Sequence, residues 1–444
     1  MIVIGKKVGV MAREAAKNNS RTQQEVAASL LAGHSEFHLL AAMGPQQPTS
    51  LIRAFLTEAR RTDTAIKLMF ADLGGRFDFL DDQSAADITA GRLSLVALAG
   101  GIARARHAQV DYLPISLWDT DRLLRSGRVR VDAVLLRASP SANSNAYSYG
   151  DMIGYTPSAL ESGATAVIEL DSTPDMQRHP SSLFLPSARA DIVLNATEPP
   201  IATIATAPNA AQMAIGRHVA GLLPDGATLQ LGLGSIAEAI LTQLSGKREL
   251  GIHSGIVTPS LGRLIDAGIV TGREKSVDPG IVVATGIHGA SEPAGITARA
   301  ATAFRPVSET HDPQNLARQQ RLWALNSALE VDLLGQVNAE FIKGARVASG
   351  GGQADFSRAA HLSEGGGSVI ALPAMTPKGH SRIVAALPQG CAATSSAQDI
   401  DFVVTEYGVA DLRGRSRQER AAALVHIADP TARPALLASL GAVS

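Results

Sequence analysis

Between Thr228 and Gly268 the chain twice runs from a short apolar segment through glycine into a helical pattern. Thr228–Leu231 reads as a buried strand that breaks at Gly232-Leu233-Gly234. Ser235 then opens a helix whose apolar positions Ile236, Ile240, Leu241 and Leu244 share one face. Leu250–His253 reads as a second strand, ending at Ser254-Gly255 ahead of a helix expected over Pro259–Ala267. A strand feeding a glycine turn and a helix start leaves backbone N–H groups free above the strand end. Phosphates, carboxylates and developing oxyanions are held at such places. One GxG turn alone marks only a tight strand-to-helix connection, but two strand ends here direct small, flexible residues at one crevice. Neither GxGxxG nor a P-loop Lys-Ser/Thr follows, so a nucleotide-binding reading of the glycine loop is weak.

The first half alternates strand and helix patterns. Thr22 and Glu25 form a T-x-x-E capping box before Val26, Leu30 and Leu31, and Gly33 stops that helix. A strand over Phe37–Ala42 leads through Met43-Gly44-Pro45-Gln46-Gln47-Pro48 to a helix from Thr49. Further strands are expected at Ile66–Phe70, Leu93–Leu98, Val131–Leu136 and Thr165–Leu170. Apolar strands separated by helices predict an open α/β sheet covered on both faces. Asp171–Thr206 is rich in proline (Pro174, Pro180, Pro186, Pro199, Pro200) and reads as an interdomain connection. Beyond it, a helix over Ala210–Leu223, the turn Pro224-Asp225-Gly226, a strand, a small-residue loop and a helix repeat the order of Val26–Phe55. That order predicts a duplicated α/β module. The tail from Arg417 to Leu440 reads as two helices parted by Asp429-Pro430.

Composition narrows the function classes. A chain of 444 residues, 45% apolar and 18% charged, has ample core for two or three domains. Its net charge of −1 offers no electrostatic case for nucleic acid or an anionic membrane. Cys391 is the single cysteine, so neither a disulfide nor a thiolate metal site is expected; a small buried residue is the expectation, with a reactive thiol as the alternative. No H-x-x-x-H or Cys/His cluster suggests a metal. The first residues, MIVIGKKVGVMARE, lack the apolar core of a signal peptide, and no apolar run reaches the ~18 residues of a membrane span. A cytoplasmic protein is the expectation.

The second half carries four further polar and glycine-rich stretches: Leu325–Gln336, Ser349–Phe356, Met375–His380 and Thr405–Gly414. Together with Leu229–Gly268 they resemble the acetyl-CoA hydrolase/transferase family. Within it, the likeness is to the 4-hydroxybutyrate CoA-transferase-like branch of the class I CoA-transferases. The runs NSALEVDLLGQVNAEF, GGQADF and VTEYGVADLRG carry it, and LLPDGATLQLGLGSI and Gly251-Ile252-His253 also fit. The resemblance is strong from about Ile215 to Pro434 and looser over residues 20–195, where Ser139-Pro140 and Asp151–Thr156 fall in familiar places. It implies two similar open α/β domains of the CoA-transferase type, residues 1–195 and 207–444, the second carrying the glycine loops. It also implies an active site between them, a homodimer or larger homo-oligomer, and coenzyme A entering as an acyl-CoA substrate with a small carboxylic acid as partner.

Enzymes of this family use a glutamate nucleophile, which attacks the acyl-CoA to give a mixed anhydride. The released CoA thiolate then gives a glutamyl-CoA thioester; an acceptor acid reverses the steps, and water in its place makes a hydrolase. By resemblance, the oxyanions would meet amides at Leu233 and Gly352, and CoA would lie along Gly232, Gly234, Gly350, Gly351 and Lys378. The family's glutamate stands in G-I-H-x-E. Here the run is Gly251-Ile252-His253-Ser254-Gly255, and Ile256 to Ser260 supply no carboxylate. Glycine can form neither an anhydride nor a thioester. The family's V-N-D-P asparagine is also replaced, by His311 in Thr310-His311-Asp312-Pro313.

Two readings follow. In the first, the chain processes acyl-CoA by altered chemistry. Glu406 is then a candidate general base, against a structural pairing with Lys378 or Arg413. His253 and His311 are expected to titrate near neutral pH and to activate water or a bound acid. Glu330 is expected to be a hydrogen-bonded structural carboxylate. In the second reading, the chain is a catalytically silent acyl-CoA-binding or partner subunit.

Overall fold

The computed structural model of the chain describes residues 21–72, 77–100, 110–141, 144–150, 152–171, 184–199, 207–288, 296 and 300–441. The chain divides into two compact units, Met1–Leu113 with Asp119–Ala202, and Pro114–Trp118 with Thr203–Ser444. Each is an open α/β domain.

The first unit is built on seven parallel strands. Their order is Val110–Tyr112, Leu93–Gly100, Ala65–Asp72, Glu36–Ala41, Ala133–Pro140, Thr165–Leu170 and Ile192–Asn195. The chain starts in the middle, at Glu36–Ala41, builds outward on one side and then crosses to the other. Strands buried on both faces need near-continuous apolar runs, and Leu39, Leu68, Leu95, Leu135 and Val167 meet Val26 and Phe55 of the helices in one core. The capping box forms as expected: the Thr22 hydroxyl accepts from the Glu25 amide while the Glu25 carboxylate accepts from the Thr22 amide. Buried charge is paired here: Ser50 and Gln23 donate to Glu169, and Arg137 donates to Asp171.

One expectation is corrected in this unit. The stretch read as an interdomain connection contributes two strands, Ile192–Asn195 at the sheet edge and Phe184–Pro186 paired with Ala146–Ser148. Its prolines flank the Ile-Val-Leu run rather than interrupt it, so the run keeps its ladder hydrogen bonds. Residues 172–183 and 200–206 lie outside the described residues.

In the second unit five parallel strands run in the order Gly251–Ile252, Thr228–Leu231, Leu322–Ser327, Gly367–Ala371 and Phe402–Thr405, with Gly408–Asp411 antiparallel at the edge. Here the strand that comes first in the chain, Thr228–Leu231, has its successor on one side and the later strands of the sheet on the other. The helix Gln353–Leu362 packs Phe356, Ala359 and Ala360 against Leu316, Leu322 and Ala324. The tail helices Arg417–Ile427 and Arg433–Gly441 cover Ile370, Val403 and Leu412 on the other side. Cys391 is half-buried rather than buried, in the wall of a cavity of about 470 Å³ with Leu333, Leu387, Arg417 and Leu440. Among the described residues no helix is long and apolar enough to cross a membrane.

Candidate active site

Parallel strands deliver their following residues to one edge. The carboxyl edge of the second sheet therefore gathers Gly232–Gly234, Ser254-Gly255, Asn326, Ala374 and Glu406. The helix Gln353–Leu362 leads back into Gly367–Ala371, so Gly350–Gly352 begin it at the same edge. Ser254 ties two strand ends together, its hydroxyl accepting from the Leu231 amide (3.1 Å) and donating to the Ile256 carbonyl (2.8 Å). Gln230 and Asn326 exchange two carboxamide hydrogen bonds across neighbouring strands.

The two glycine loops leave donors open. The Gly232 amide is committed to the Leu325 carbonyl at 2.8 Å. The amides of Leu233 and Gly352 have no acceptor among the described residues. Gly234 takes φ 101°, in the left-handed region that favours glycine, and caps Ser235–Thr242 without a side-chain hydrogen bond.

Between the loops lies His311. A Cβ built on Gly255 would stand 3.1 Å from Cε1 and 3.2 Å from Nε2 of this ring; one built on Gly352 would stand 2.3 Å from Nε2. Phe356 meets the same ring edge to face at 4.8 Å. The imidazole thus fills the room that side chains at 255 and 352 would need. Gly255 itself lies outside the positive-φ region, so volume rather than backbone conformation favours glycine there.

The neighbours of His311 set its tautomer. Thr310 Oγ1 lies 2.9 Å from Nδ1 and 3.3 Å from the Pro306 carbonyl. A hydroxyl donating to that carbonyl accepts from Nδ1–H, which leaves Nε2 with its lone pair. Nε2 has no hydrogen-bond partner among the described residues. His253, by contrast, is saturated: its Nδ1 accepts from Gln319 Nε2 (3.0 Å) and its Nε2 donates to the Thr310 carbonyl (3.1 Å).

The expectation that both histidines titrate near neutral pH is corrected. Burial, with the Lys275 ammonium adding to it, pushes His253 down to about 4. Burial, with His253 beside it, pushes His311 down to about 3. Among the described residues, the Asp278 carboxylate raises His253 only slightly against its burial, and none is felt by His311. Lys275 is buried too, its ammonium donating to the Ile252 and Ile281 carbonyls, and burial pushes it down to about 8.

The alternative weighed for Glu406, a structural pairing with Lys378 or Arg413, does not form. Arg413 pairs with Asp411 at 2.8 Å and lies over the Phe402 ring, and Lys378 is exposed in a turn closed by Thr376 and Gly379. Glu406 instead accepts from the Ala374 amide at 2.8 Å, and with Glu330 it bears on the half-buried Arg382. Glu330 accepts from Asn338 at 3.0 Å, a hydrogen-bonded carboxylate as expected. Gly351 accepts from the Leu117 amide and Asp355 from the Trp118 amide, which holds the second glycine loop against Pro114–Trp118. Among the described residues no three His, Cys, Asp or Glu side chains cluster as metal ligands would.

Sequence reasoning missed Thr310, Gln319 and Phe356. The one available signal for Thr310 was its place beside His311; nothing in the chain marks Gln319 as the partner of His253, 66 residues away.

The acetyl-CoA hydrolase/transferase C-terminal domain matches residues 295–440. The chain is 34% identical over 347 residues to a 4-hydroxybutyrate coenzyme A transferase of Clostridium kluyveri, covering 76% of this chain and 79% of that one. It is 31% identical over 326 residues to a succinyl-CoA:cyclohexane-1-carboxylate CoA transferase of Geobacter metallireducens, covering 73% and 74%. RipA from Yersinia pestis superposes with a TM-score of 0.85 at 25% identity, covering 97% of this chain and 99% of that one.

Proposed function

The chain belongs to the acetyl-CoA hydrolase/transferase family, and from that membership we propose that it processes acyl-CoA thioesters without a glutamyl-CoA intermediate. Its substrates on this reading are coenzyme A in the form of an acyl-CoA and, for transfer, a small carboxylic acid. Gly232, Gly234, Gly350, Gly351 and Lys378 contact the CoA ester, and the open amides of Leu233 and Gly352 receive the oxyanion. Glu406 remains a candidate general base. The working protein on this reading is a cytoplasmic homodimer or larger homo-oligomer.

The observation that carries the reading is the pair Gly255 and His311. The position of attack holds no carboxylate, and a neutral ring fills the space beside it. The same pair favours one alternative, a catalytically silent acyl-CoA-binding or partner subunit.

Free-thiol release from acetyl-, butyryl- and succinyl-CoA, with and without added acetate, separates the outcomes. Thiol release without acetate identifies a hydrolase, and acetate-dependent formation of acetyl-CoA a transferase. Calorimetric binding with neither identifies the silent subunit. Folded protein that binds none of these thioesters would remove the reading altogether.

A further inference from the structure

We propose that Nε2 of His311 takes the proton from the water that attacks the thioester, so that this chain is a direct acyl-CoA hydrolase. The step rests on the acyl-CoA reading above and names the group that does the work of the missing glutamate.

Three observations converge on this nitrogen. The hydrogen bonds of Thr310 place the proton on Nδ1, so Nε2 presents a lone pair. Cβ atoms at Gly255 and Gly352 would stand 3.2 Å and 2.3 Å from Nε2, so a side chain at either position would cover this nitrogen and the two glycines leave it uncovered. The open amides of Leu233 and Gly352 stand in the same two loops, where donors to a developing oxyanion are needed. Of the other acceptors, His253 has both nitrogens bonded, and Glu406, whose Oε2 accepts from the Ala374 amide, stands at another strand end.

The step balances without an outside reagent. The water oxygen forms a bond to the thioester carbonyl carbon while its proton passes to Nε2, and the carbonyl oxygen becomes the oxyanion. Collapse breaks the C–S bond, and the departing thiolate takes the proton back from Nε2. A thioester and water become a carboxylic acid and free CoA.

The electrostatics suit a base that works only in the transition state. Phe356, Gly255, Gly352 and Thr310 bring no charge to the ring, and among the described residues His253 is the titratable group that acts on it. Lys275, Asp278 and Arg305 bear on His253 rather than on His311. The resting ring is therefore neutral, with nothing to stabilise its protonated form. Once the oxyanion appears, the imidazolium gains an opposite charge in a dry site, where such attraction is strongest. Because His311 rests neutral down to about pH 3, hydrolysis should hold level between pH 5 and 7. A histidine base of ordinary pKa, near 6.5, would lose activity in that interval.

The test is a single turnover of butyryl-CoA by excess full-length protein in ¹⁸O-water. Calorimetry runs in parallel, with a non-hydrolysable thioether analogue of the ester. The expected result is one ¹⁸O in the first butyrate released and no change in protein mass. His311→Gln should hydrolyse at least about 100-fold more slowly while binding the analogue as well as the parent does. Thr310 is a positioning residue: Thr310→Val should lower the rate and shift its pH profile, and Thr310→Ser should restore both. Unlabelled butyrate with the label in the protein would overturn the proposal, since it requires a carboxylate nucleophile. A His311→Gln protein hydrolysing at the parent rate would overturn it as well. Analogue binding without hydrolysis by the parent protein would also sink it while leaving acyl-CoA binding intact; absence of binding would remove the underlying reading. The labelling of the parent protein stands even if a variant fails to fold.

Discussion

Gly234 and Gly352 sit in two loops at the same sheet edge, and opposite physical reasons keep them glycine. At Gly234 the backbone turns to φ 101° and, among the described residues, nothing lies within 4 Å of where a Cβ would stand. At Gly352 φ is an ordinary −95°, but the ring of His311 lies 2.3 Å from the same point. The first glycine is required by conformation, the second by volume. Gly255 belongs with the second kind, at a gentler 3.1 Å. A glycine required by volume ceases to be required when the neighbour shrinks; a glycine required by conformation does not.

That contrast can be broken by substitution. Gly352→Ala should have the largest effect, on the order of 3 kcal/mol of lost stability, because the imidazole is held by Phe356 and Thr310 and has little room to yield. Combining it with His311→Ala should cost much less than the sum of the two single changes, as a double-mutant cycle by denaturant unfolding would reveal. Full additivity would mean that the ring does not fill the space assigned to it.

Acid comes next. The unfolded chain protonates its histidines near pH 6.5, whereas the folded rings of His253 and His311 stay neutral down to about 4 and about 3. Below pH 6.5 the unfolded state binds more protons, so stability is full above that pH and declines as the pH falls toward 4. The slope should be on the order of 1 kcal/mol per ring per pH unit. His311→Asn should flatten the decline between pH 6.5 and 4.5, measured by urea unfolding. An unchanged slope would mean that the ring is already solvated.

Gly234→Ala should cost about 1 kcal/mol, from backbone strain alone, and His311→Ala should not relieve it. Gly255→Ala should be the mildest, within about 1 kcal/mol, since a shift of a few tenths of an ångström in the ring accommodates the methyl group.

Much of the fold is legible in the chain because its strands are long apolar runs. Glu36–Ala41, Leu93–Gly100 and Thr165–Leu170 lie within a residue or two of their expected places. So do the helix capped by Thr22 and the tail helix that starts at Arg417. Short strands were harder: Ile192–Asn195 hides among prolines, and of Leu250–His253 only Gly251–Ile252 pairs as a strand, bracketed by single bridges at Leu250 and His253. At the site, glycine loops can be read because turn chemistry is local. What the chain alone could not reveal is that His311 sits against both Gly255 and Gly352, from 56 residues after the one and 41 before the other. Nor could it reveal that burial strips both histidines of their usual titration, or that Arg413 chooses Asp411 over Glu406. Those are outcomes of tertiary packing.

The central claim is that this site lost covalent catalysis at one position whose space His311 has taken. Restoring the carboxylate tests it most directly. Gly255→Glu and the double change Gly255→Glu with His311→Asn would each be incubated with acyl-CoA and then borohydride. Intact-mass and peptide analysis would locate any adduct, and acyl transfer to acetate would be assayed alongside. Backbone strain is no obstacle at Gly255, and a well-oriented internal nucleophile is worth ~7 kcal/mol or more of barrier. The account predicts no adduct on the parent protein, little on the single variant, where the ring still crowds the new side chain, and a clear adduct at position 255 with measurable transfer in the double variant. A folded double variant that binds acyl-CoA yet forms no adduct at position 255, or a parent protein that already carries one on Glu330 or Glu406, would contradict it.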